Sequence, residues 1–145
     1  MILGIVGSEE KKFTPLGILR AKSRILNLFD IYDPEEVVSG ACPLGGIDIW
    51  TEELARQMNR RVKVFPPKFN DWNRGFKPRN IKIAERSDLV ICITIDKLPE
   101  DFSGLKFPFC YHCLTGKHVK SGGCWTMKYA RSIGKQVGLL VVRNT

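Results

Sequence analysis

The segment Leu89–Ile95 (LVICITI) constrains the fold of this chain more than any other. Six of its seven residues are apolar, whereas a strand with one face in water alternates polar and apolar residues. A strand without alternation is covered on both faces, as in the centre of a parallel sheet. Parallel strands need crossover connections, usually helices. Since 145 residues is the size of one compact domain, the segment predicts a single α/β domain over residues 1–145.

The rest of the chain alternates between strand-like and helix-like patterns. Short apolar segments at 2–6, 37–38, 62–65 and 137–142 predict four more strands. Between them apolar residues recur every three or four positions, as in Ile47, Trp50, Leu54 and Met58. A last helix is predicted over 122–133, ended by Gly134, after an insertion at 96–124. In such a sheet, ligands bind at the carboxyl ends of the strands, where the strand order reverses.

The net charge of +8 is concentrated in two parts of the chain. Residues 56–86 contain ten Lys/Arg and two Asp/Glu, and residues 102–145 contain seven Lys/Arg and no acidic residue. Both parts are expected to border the ligand edge of the sheet, so an anionic ligand is favoured. The composition, which is 43% hydrophobic without a low-complexity segment, excludes a disordered or fibrous chain.

Cysteine usage indicates a cytoplasmic protein. The chain has five cysteines, and its N-terminal apolar run is too short for a signal-peptide core. No apolar run reaches the ~20 residues that span a bilayer. An odd number of cysteines without a secretory signal favours reduced thiols, a metal site, or both.

The spacing Cys110-x2-Cys113-x4-His118-x5-Cys124 predicts a structural zinc site in the insertion. Three thiols and one imidazole can complete a tetrahedral site and leave no open position for catalysis. The spacing is close to that of a zinc knuckle, and His112 is a spare candidate ligand. The alternative is a set of free cysteines in a reducing cytosol, with Cys124 acidified at a helix N-terminus.

Two turns rich in small residues follow predicted strands. They are 39–46 (SGACPLGG) and 120–123 (KSGG), and the second directly precedes the last helix. Such turns let backbone N–H groups and a helix N-terminus approach a phosphate or carboxylate. The alternative is that both are ordinary tight turns with helix caps.

The loop 69–80 (FNDWNRGFKPRN) mixes aromatic, basic and amide side chains. That composition suits stacking on a base and pairing with phosphate. Trp72, Arg79 and Asn80 are therefore candidate ligand contacts. The alternative is a solvated loop that Trp72 anchors in the core, with Asn80 as the N-cap of the next helix.

The order of these motifs resembles the SLOG superfamily over nearly the whole chain. The matching motifs are Gly7-Ser8, Val38-Ser39-Gly40-Ala41, Gly45-Gly46-Ile47-Asp48, Arg79-Asn80-Ile81-Lys82-Ile83-Ala84, Ser87-Asp88-Leu89-Val90-Ile91 and Ser121-Gly122-Gly123-Cys124-Trp125-Thr126. The superfamily includes the LONELY GUY hydrolases, the DNA-processing protein A family and small phage and bacterial proteins. The resemblance implies a Rossmann-like three-layer sandwich, with a mostly parallel five-stranded sheet between helices and a nucleotide-derived ligand along the strand ends.

One departure from the superfamily bears on catalysis. LONELY GUY enzymes carry Pro-Gly-Gly-x-Gly-Thr-x-x-Glu, in which the glutamate is catalytic. Here Trp125 replaces a glycine and Tyr129 stands in place of the glutamate. No acidic residue follows Asp101, so cleavage of a glycosidic bond would need an acid from elsewhere, such as Asp48 or Glu9.

The expected function is therefore binding of a nucleotide or nucleotide-derived molecule, as a sensor or sequestering protein without catalysis. The chain is expected to form homo-oligomers and to avoid membranes. The alternatives are a hydrolase that cleaves N-glycosidic or phosphoester bonds, and a single-stranded nucleic-acid-binding protein, which basic residues, aromatics and a zinc knuckle would suit. The candidate ligand-binding residues are Gly7, Ser8, Ser39, Gly40, Ala41, Asp48, Trp72, Arg79, Asn80, Thr94, Ser121, Gly122, Gly123 and Thr126.

Overall fold

Five strands and four helices alternate along the chain, whose computed structural model describes residues 1–145. A 3-10 turn, Glu10–Lys12, follows the first strand, and a π-helical turn, Trp72–Phe76, precedes the third helix. The elements in chain order are β1 (Ile2–Gly7), α1 (Pro15–Tyr32), β2 (Glu36–Ser39), α2 (Ile47–Gln57), β3 (Val62–Val64), α3 (Lys77–Arg86), β4 (Leu89–Ile95), α4 (Gly122–Ser132) and β5 (Gln136–Val142).

The five strands form one sheet in the order β3-β2-β1-β4-β5, and every pairing is parallel. The segment predicted as the central strand, β4, pairs with β1 on one side and with β5 on the other, and all seven of its residues are buried. The strand order reverses between β1 and β4. The predicted α/β fold with a five-stranded parallel sheet is therefore confirmed.

The helices cover both faces of the sheet, because alternate residues of each buried strand point to opposite sides. Leu3 and Ile5 of β1 belong to the core that packs against α1 and α2. Val6, together with Val90 of β4, belongs to the core that packs against α3 and α4. None of the four helices is long and apolar enough to span a bilayer.

Local signals explain most helix ends. Thr14 caps α1 by accepting a hydrogen bond from the Gly17 N–H, and Ser121 caps α4 by accepting one from the Gly123 N–H. The predicted stop of α4 at Gly134 is confirmed within two residues, and Gly134 has a φ of 87°. The sequence placed the start of the third helix too late. This helix starts at Lys77, so Asn80 lies inside it and is not its N-cap.

The insertion between β4 and α4 contains no helix or strand, apart from one antiparallel bridge between Cys110 and Thr115. Two hydrogen bonds tie its end to the sheet. The Val119 N–H donates to the Ile95 carbonyl at 2.8 Å, and the Thr94 hydroxyl donates to the Val119 carbonyl at 2.9 Å. These bonds bring the end of the insertion to the carboxyl edge of the sheet.

Candidate functional site

A cavity of about 570 Å³ lies beside the carboxyl ends of β1 and β4, where the strand order reverses. We call it the switch-point cavity; its walls come from the end of β1, the β2–α2 loop, the π-helical turn with α3, the insertion and the start of α4. Its size is in the range of small-molecule sites. Ten of the predicted ligand-binding residues line it: Gly7, Ser8, Asp48, Trp72, Arg79, Asn80, Ser121, Gly122, Gly123 and Thr126.

Of the turn after β2, the residues Ser39, Gly40 and Ala41 lie outside the cavity wall, although the sequence predicted a phosphate there, whereas Cys42 and Leu44 line the cavity. The Ser39 hydroxyl and the Ala41 N–H both donate to the Glu52 carboxylate, at 2.8 and 3.0 Å. The Gly40 carbonyl accepts a hydrogen bond from Arg79. Because a carboxylate already accepts from this turn, an anion would be repelled there. Ser39, Gly40 and Ala41 therefore have the structural role of a tight turn.

Thr94 is also outside the cavity. Its hydroxyl oxygen lies 2.9 Å from that of Ser8 and donates to the insertion, as described above. The side chain is fully buried. Thr94 therefore joins the insertion to the sheet beneath the cavity, and Ser8, which does line the cavity, is held by it.

Asp48 and Arg79 form a buried ion pair on one wall of the cavity, with 3.7 Å between Oδ2 and Nη1. The Cys42 N–H donates to Asp48 at 3.2 Å. The Arg79 guanidinium lies over the Phe76 ring, and its Nε donates to the Asn80 side-chain oxygen. Burial raises the pKa of the Asp48 carboxyl from 3.8 to about 6, while Arg79 opposes the shift. This group is therefore partly protonated at weakly acidic pH.

The raised pKa of Asp48 predicts that the folded state becomes less stable as the pH rises. A carboxyl whose pKa is higher in the folded state stabilises the fold below its unfolded pKa, and this contribution is lost as the pH rises from about 4 to 6. We expect the unfolding free energy of the wild type to fall by about 3 kcal/mol across this window relative to Asp48→Asn. Urea unfolding of both proteins at several pH values measures the difference, and parallel pH profiles would contradict the prediction.

The start of α4 and two lysines form the basic side of the cavity. Ser121, Gly122 and Gly123 line it, as do Lys12 and Lys120. The Lys12 ammonium donates to the Lys120 carbonyl at 3.0 Å, and burial lowers the pKa of Lys12. A helix N-terminus with adjacent lysines is a site where phosphate or carboxylate groups bind.

Thr126 is the unusual polar group of this wall. Its side chain is 1% exposed and lines the cavity, and its hydroxyl has no hydrogen-bond partner in the protein. Buried hydroxyls are nearly always hydrogen-bonded, because an unpaired one costs ~1–3 kcal/mol. A ligand in the cavity would supply the missing partner.

Aromatic side chains also line the cavity. The rings of Trp72 and Trp125 meet edge to face, with 5.1 Å between their centroids, and Trp125 stacks on Tyr129. Trp72 is 39% exposed, so it does not anchor its loop in the core as the alternative sequence interpretation held. The Trp72–Trp125 pair offers an aromatic surface for a planar group.

Cys110, Cys113, His118 and Cys124 come together as one cluster, in which the four ligand atoms lie within 4.8 Å of one another. The insertion supplies the first three residues, and the first turn of α4 supplies Cys124. His118 Nδ1 lies 3.0 Å from the Val119 carbonyl, whereas the buried Nε2 has no partner. A hydrogen bond at one ring nitrogen and a free second nitrogen is the usual arrangement of a metal-binding histidine. This Cys/His cluster could hold a metal ion.

Two thiols of the Cys/His cluster, those of Cys113 and Cys124, have raised pKa values. Burial, followed by the neighbouring Cys124 and Cys110, raises the pKa of Cys113 to about 12. The pKa of Cys124 is also raised, first by its contact with the Cys92 thiol at 3.9 Å. An acidified free Cys124, the alternative from the sequence, is therefore not supported. A bound cation would deprotonate these thiols and make them ligands.

Sequence reasoning missed or misassigned several cavity residues, among them His112, Lys12 and Trp125. His112 lies on the cavity wall and not in the Cys/His cluster, so it is not a spare ligand. Lys12 was missed because a lysine in a surface turn carries no pattern of its own. Trp125 was noted only as a departure from the superfamily motif, although its position in a helix that begins at the ligand edge was a usable signal.

The chain matches no protein-family model and no curated protein. Its function must therefore be inferred from the chemistry of the switch-point cavity and of the Cys/His cluster.

Proposed function

We propose that this chain binds a nucleotide or nucleotide-derived small molecule in the switch-point cavity and does not convert it. The observation that carries the proposal is the unpartnered, buried Thr126 hydroxyl on the cavity wall, in the first turns of α4. A phosphate at the N-terminus of α4 would accept hydrogen bonds from this hydroxyl and from backbone N–H groups. Lys12 and Lys120 would balance its charge.

The aromatic part of the cavity supports a ligand with a planar group. Trp72, Trp125 and Phe76 line the cavity, and aromatic rings stack on nucleobases with ~1–3 kcal/mol per base. A basic helix N-terminus and an aromatic surface within one cavity fit a molecule that joins an anion to a base. Such a nucleotide explains both parts of the cavity, whereas inorganic phosphate explains one.

Replacing Thr126 with valine tests this proposal. Valine removes the hydroxyl and keeps the shape, so the free protein should keep its stability or gain about 1 kcal/mol. The Kd for adenosine 5′-monophosphate (AMP) should rise about tenfold, because a hydrogen bond to a charged group is lost. Calorimetric titration of wild type and variant measures the change.

Thr51→Val is the matched control for Thr126→Val. The Thr51 hydroxyl is also buried without a partner, but Thr51 does not line the cavity. We expect its variant to bind AMP as the wild type does. Equal affinities of Thr126→Val and Thr51→Val would contradict the proposed anion site. A wild type that binds no nucleotide, and releases none on denaturation as judged by mass spectrometry, would contradict the function itself.

We propose Zn²⁺ as the metal of the Cys/His cluster. Three thiols and one imidazole are the ligand set of structural zinc sites, and here the four ligand atoms lie within 4.8 Å of one another. Because all four positions are taken by protein, the ion would stabilise the insertion and would not activate water. Metal-bound thiolates suit a reducing compartment, so we place the protein in the cytoplasm. The expected homo-oligomer stays a prediction, which size-exclusion chromatography would test by measuring the size of the protein in solution.

A nucleotide hydrolase is the second candidate. The observation that favours it is that Glu9 and Asp48, the two acids that could replace the missing glutamate, both line the cavity. Asp48, however, is engaged by Arg79 and the Cys42 N–H, which leaves less of its carboxyl for a substrate. Release of adenine or adenosine from AMP, followed by chromatography, would establish the hydrolase and overturn the non-catalytic proposal.

A further inference from the structure

The metal ligands and the cavity residues alternate along one segment of the chain. Tyr111 and His112, which line the cavity, lie between the ligands Cys110 and Cys113. Lys120 follows the ligand His118 by two positions. The cavity residues Gly122, Gly123 and Thr126 flank the ligand Cys124. Every cavity residue of this segment is thus within three residues of a metal ligand.

Apart from the two bonds at Val119 and the Cys110–Thr115 bridge, few hydrogen bonds hold the insertion in place. Residues 103–109 make no hydrogen bond within the protein, and the segment has no helix or strand between Ile95 and Gly122. Several of its apolar side chains are exposed and add little packing energy, namely Leu105, Phe107, Phe109 and Leu114. A wall with so few contacts has a low local stability. A four-coordinate metal would therefore supply most of the constraint on Tyr111 and His112.

Lys12 extends this constraint across the cavity. Its ammonium donates to the Lys120 carbonyl and lies close enough to Cys110 and Cys124 to interact electrostatically with their thiols. A divalent metal with three thiolates and a neutral imidazole has a net charge of −1, which attracts this ammonium. Metal binding would thereby hold Lys12, on the loop after β1, beside Lys120 and the N-terminus of α4.

We propose that metal binding at the Cys/His cluster controls ligand binding in the switch-point cavity, so that the chain binds its nucleotide tightly only when it contains metal. This coupling rests on the proposed function of the cavity. By thermodynamic linkage, a bound nucleotide must raise the metal affinity by the same factor as the metal raises the nucleotide affinity. The protein would thus report two signals together, the nucleotide and the available metal.

Paired titrations test the coupling. We expect chelation of Zn²⁺ to raise the Kd for AMP at least tenfold, within the usual range of coupling energies. The apparent Zn²⁺ affinity, measured by competition with a chromophoric chelator, should rise by the same factor when AMP is saturating. Cys113→Ser should reproduce the chelated state. Leu114→Asn is the control, because Leu114 is exposed with a φ of 56°, which asparagine tolerates.

Hydrogen exchange shows whether the effect is local. On chelation, the amides of residues 110–126 should lose nearly all protection, while those of β1 and β4 stay protected and exchange faster only by the factor that the lower overall stability predicts. Equal AMP affinity with and without metal would overturn the coupling and leave the proposed function standing. Absence of AMP binding to the metal-loaded protein would overturn both. If the amides of β1 and β4 also lost all protection, the metal would be required for folding of the whole domain. That result would overturn the proposal that the metal acts locally on the cavity.

Discussion

Replacing Cys113 with serine should abolish metal binding and lower the melting temperature by about 10 °C. The wild type is expected to contain one Zn²⁺ per chain, held by the Cys/His cluster. An ion present at a thousandfold excess over its Kd stabilises the folded state by ~4 kcal/mol. For a chain of this length, each kcal/mol shifts the melting temperature by about 2–4 °C. Elemental analysis and thermal unfolding measure the two effects.

Cys42→Ser is the control for the zinc prediction. Cys42 is a thiol outside the cluster, so its serine variant should keep one Zn²⁺ per chain. Cobalt substitution gives a second readout, because its absorption spectrum distinguishes a tetrahedral sulfur-rich site from other geometries. Wild-type protein purified without chelator that contains no metal would contradict the site, as would a Cys113→Ser variant that keeps its metal.

Arg79→Ala should destabilise the fold by about 3–5 kcal/mol, because it leaves the buried Asp48 carboxylate without its counter-charge. The same change removes the hydrogen bond to the Gly40 carbonyl and the contact with the Phe76 ring. The pKa of Asp48, already raised to about 6 by burial, should rise further. Urea unfolding at pH 7 measures the stability.

The structure offers a matched control for Arg79. Arg74, one turn earlier, also lies over a phenylalanine ring, that of Phe69, and pairs with Asp71 at 2.6 Å. Its side chain is exposed to solvent, which screens such pairs, so Arg74→Ala should change the stability far less. In the double variant Arg79→Met/Asp48→Asn, part of the loss should be recovered. Equal losses in Arg79→Ala and Arg74→Ala would contradict the role of burial.

The effect of Arg79 on stability changes how its effect on binding must be measured. The sequence presents Arg79 only as a ligand contact, and on that basis a loss of affinity in Arg79→Ala would test the pocket. Because its guanidinium holds Asp48 and the turn at Gly40, lower affinity would follow from a distorted wall as well. Thr126→Val, which should leave the fold intact, is the better test of the pocket.

Patterns that depend on neighbours in the sequence were predictable. The apolar run of β4 indicated a central strand because burial on both faces removes alternation, and the structure places it between β1 and β5. The Cys/His spacing indicated one cluster because four ligands within 15 residues can meet around an ion, and the four ligand atoms lie within 4.8 Å of one another. The cavity at the strand reversal followed from parallel topology.

Contacts between distant segments were not predictable. The Ala41 N–H donates a hydrogen bond to Glu52, and the Cys42 N–H donates one to Asp48. From the sequence, these N–H groups were expected to be free for a phosphate. The position of Lys12 beside Lys120, 108 residues away, depends on how the loop after β1 meets the insertion.

The sequence by itself determined the α/β class, the buried central strand and the four residues of the Cys/His cluster, since each follows from local periodicity or spacing. The tertiary structure alone decided which polar groups stay free at the ligand edge. Hydrogen-bond partners depend on distances in the folded chain. In the turn after β2, the N–H groups of Ala41 and Cys42 therefore donate to carboxylates of α2 and are not free for a ligand. The Thr126 hydroxyl was left without a partner on the cavity wall for the same reason.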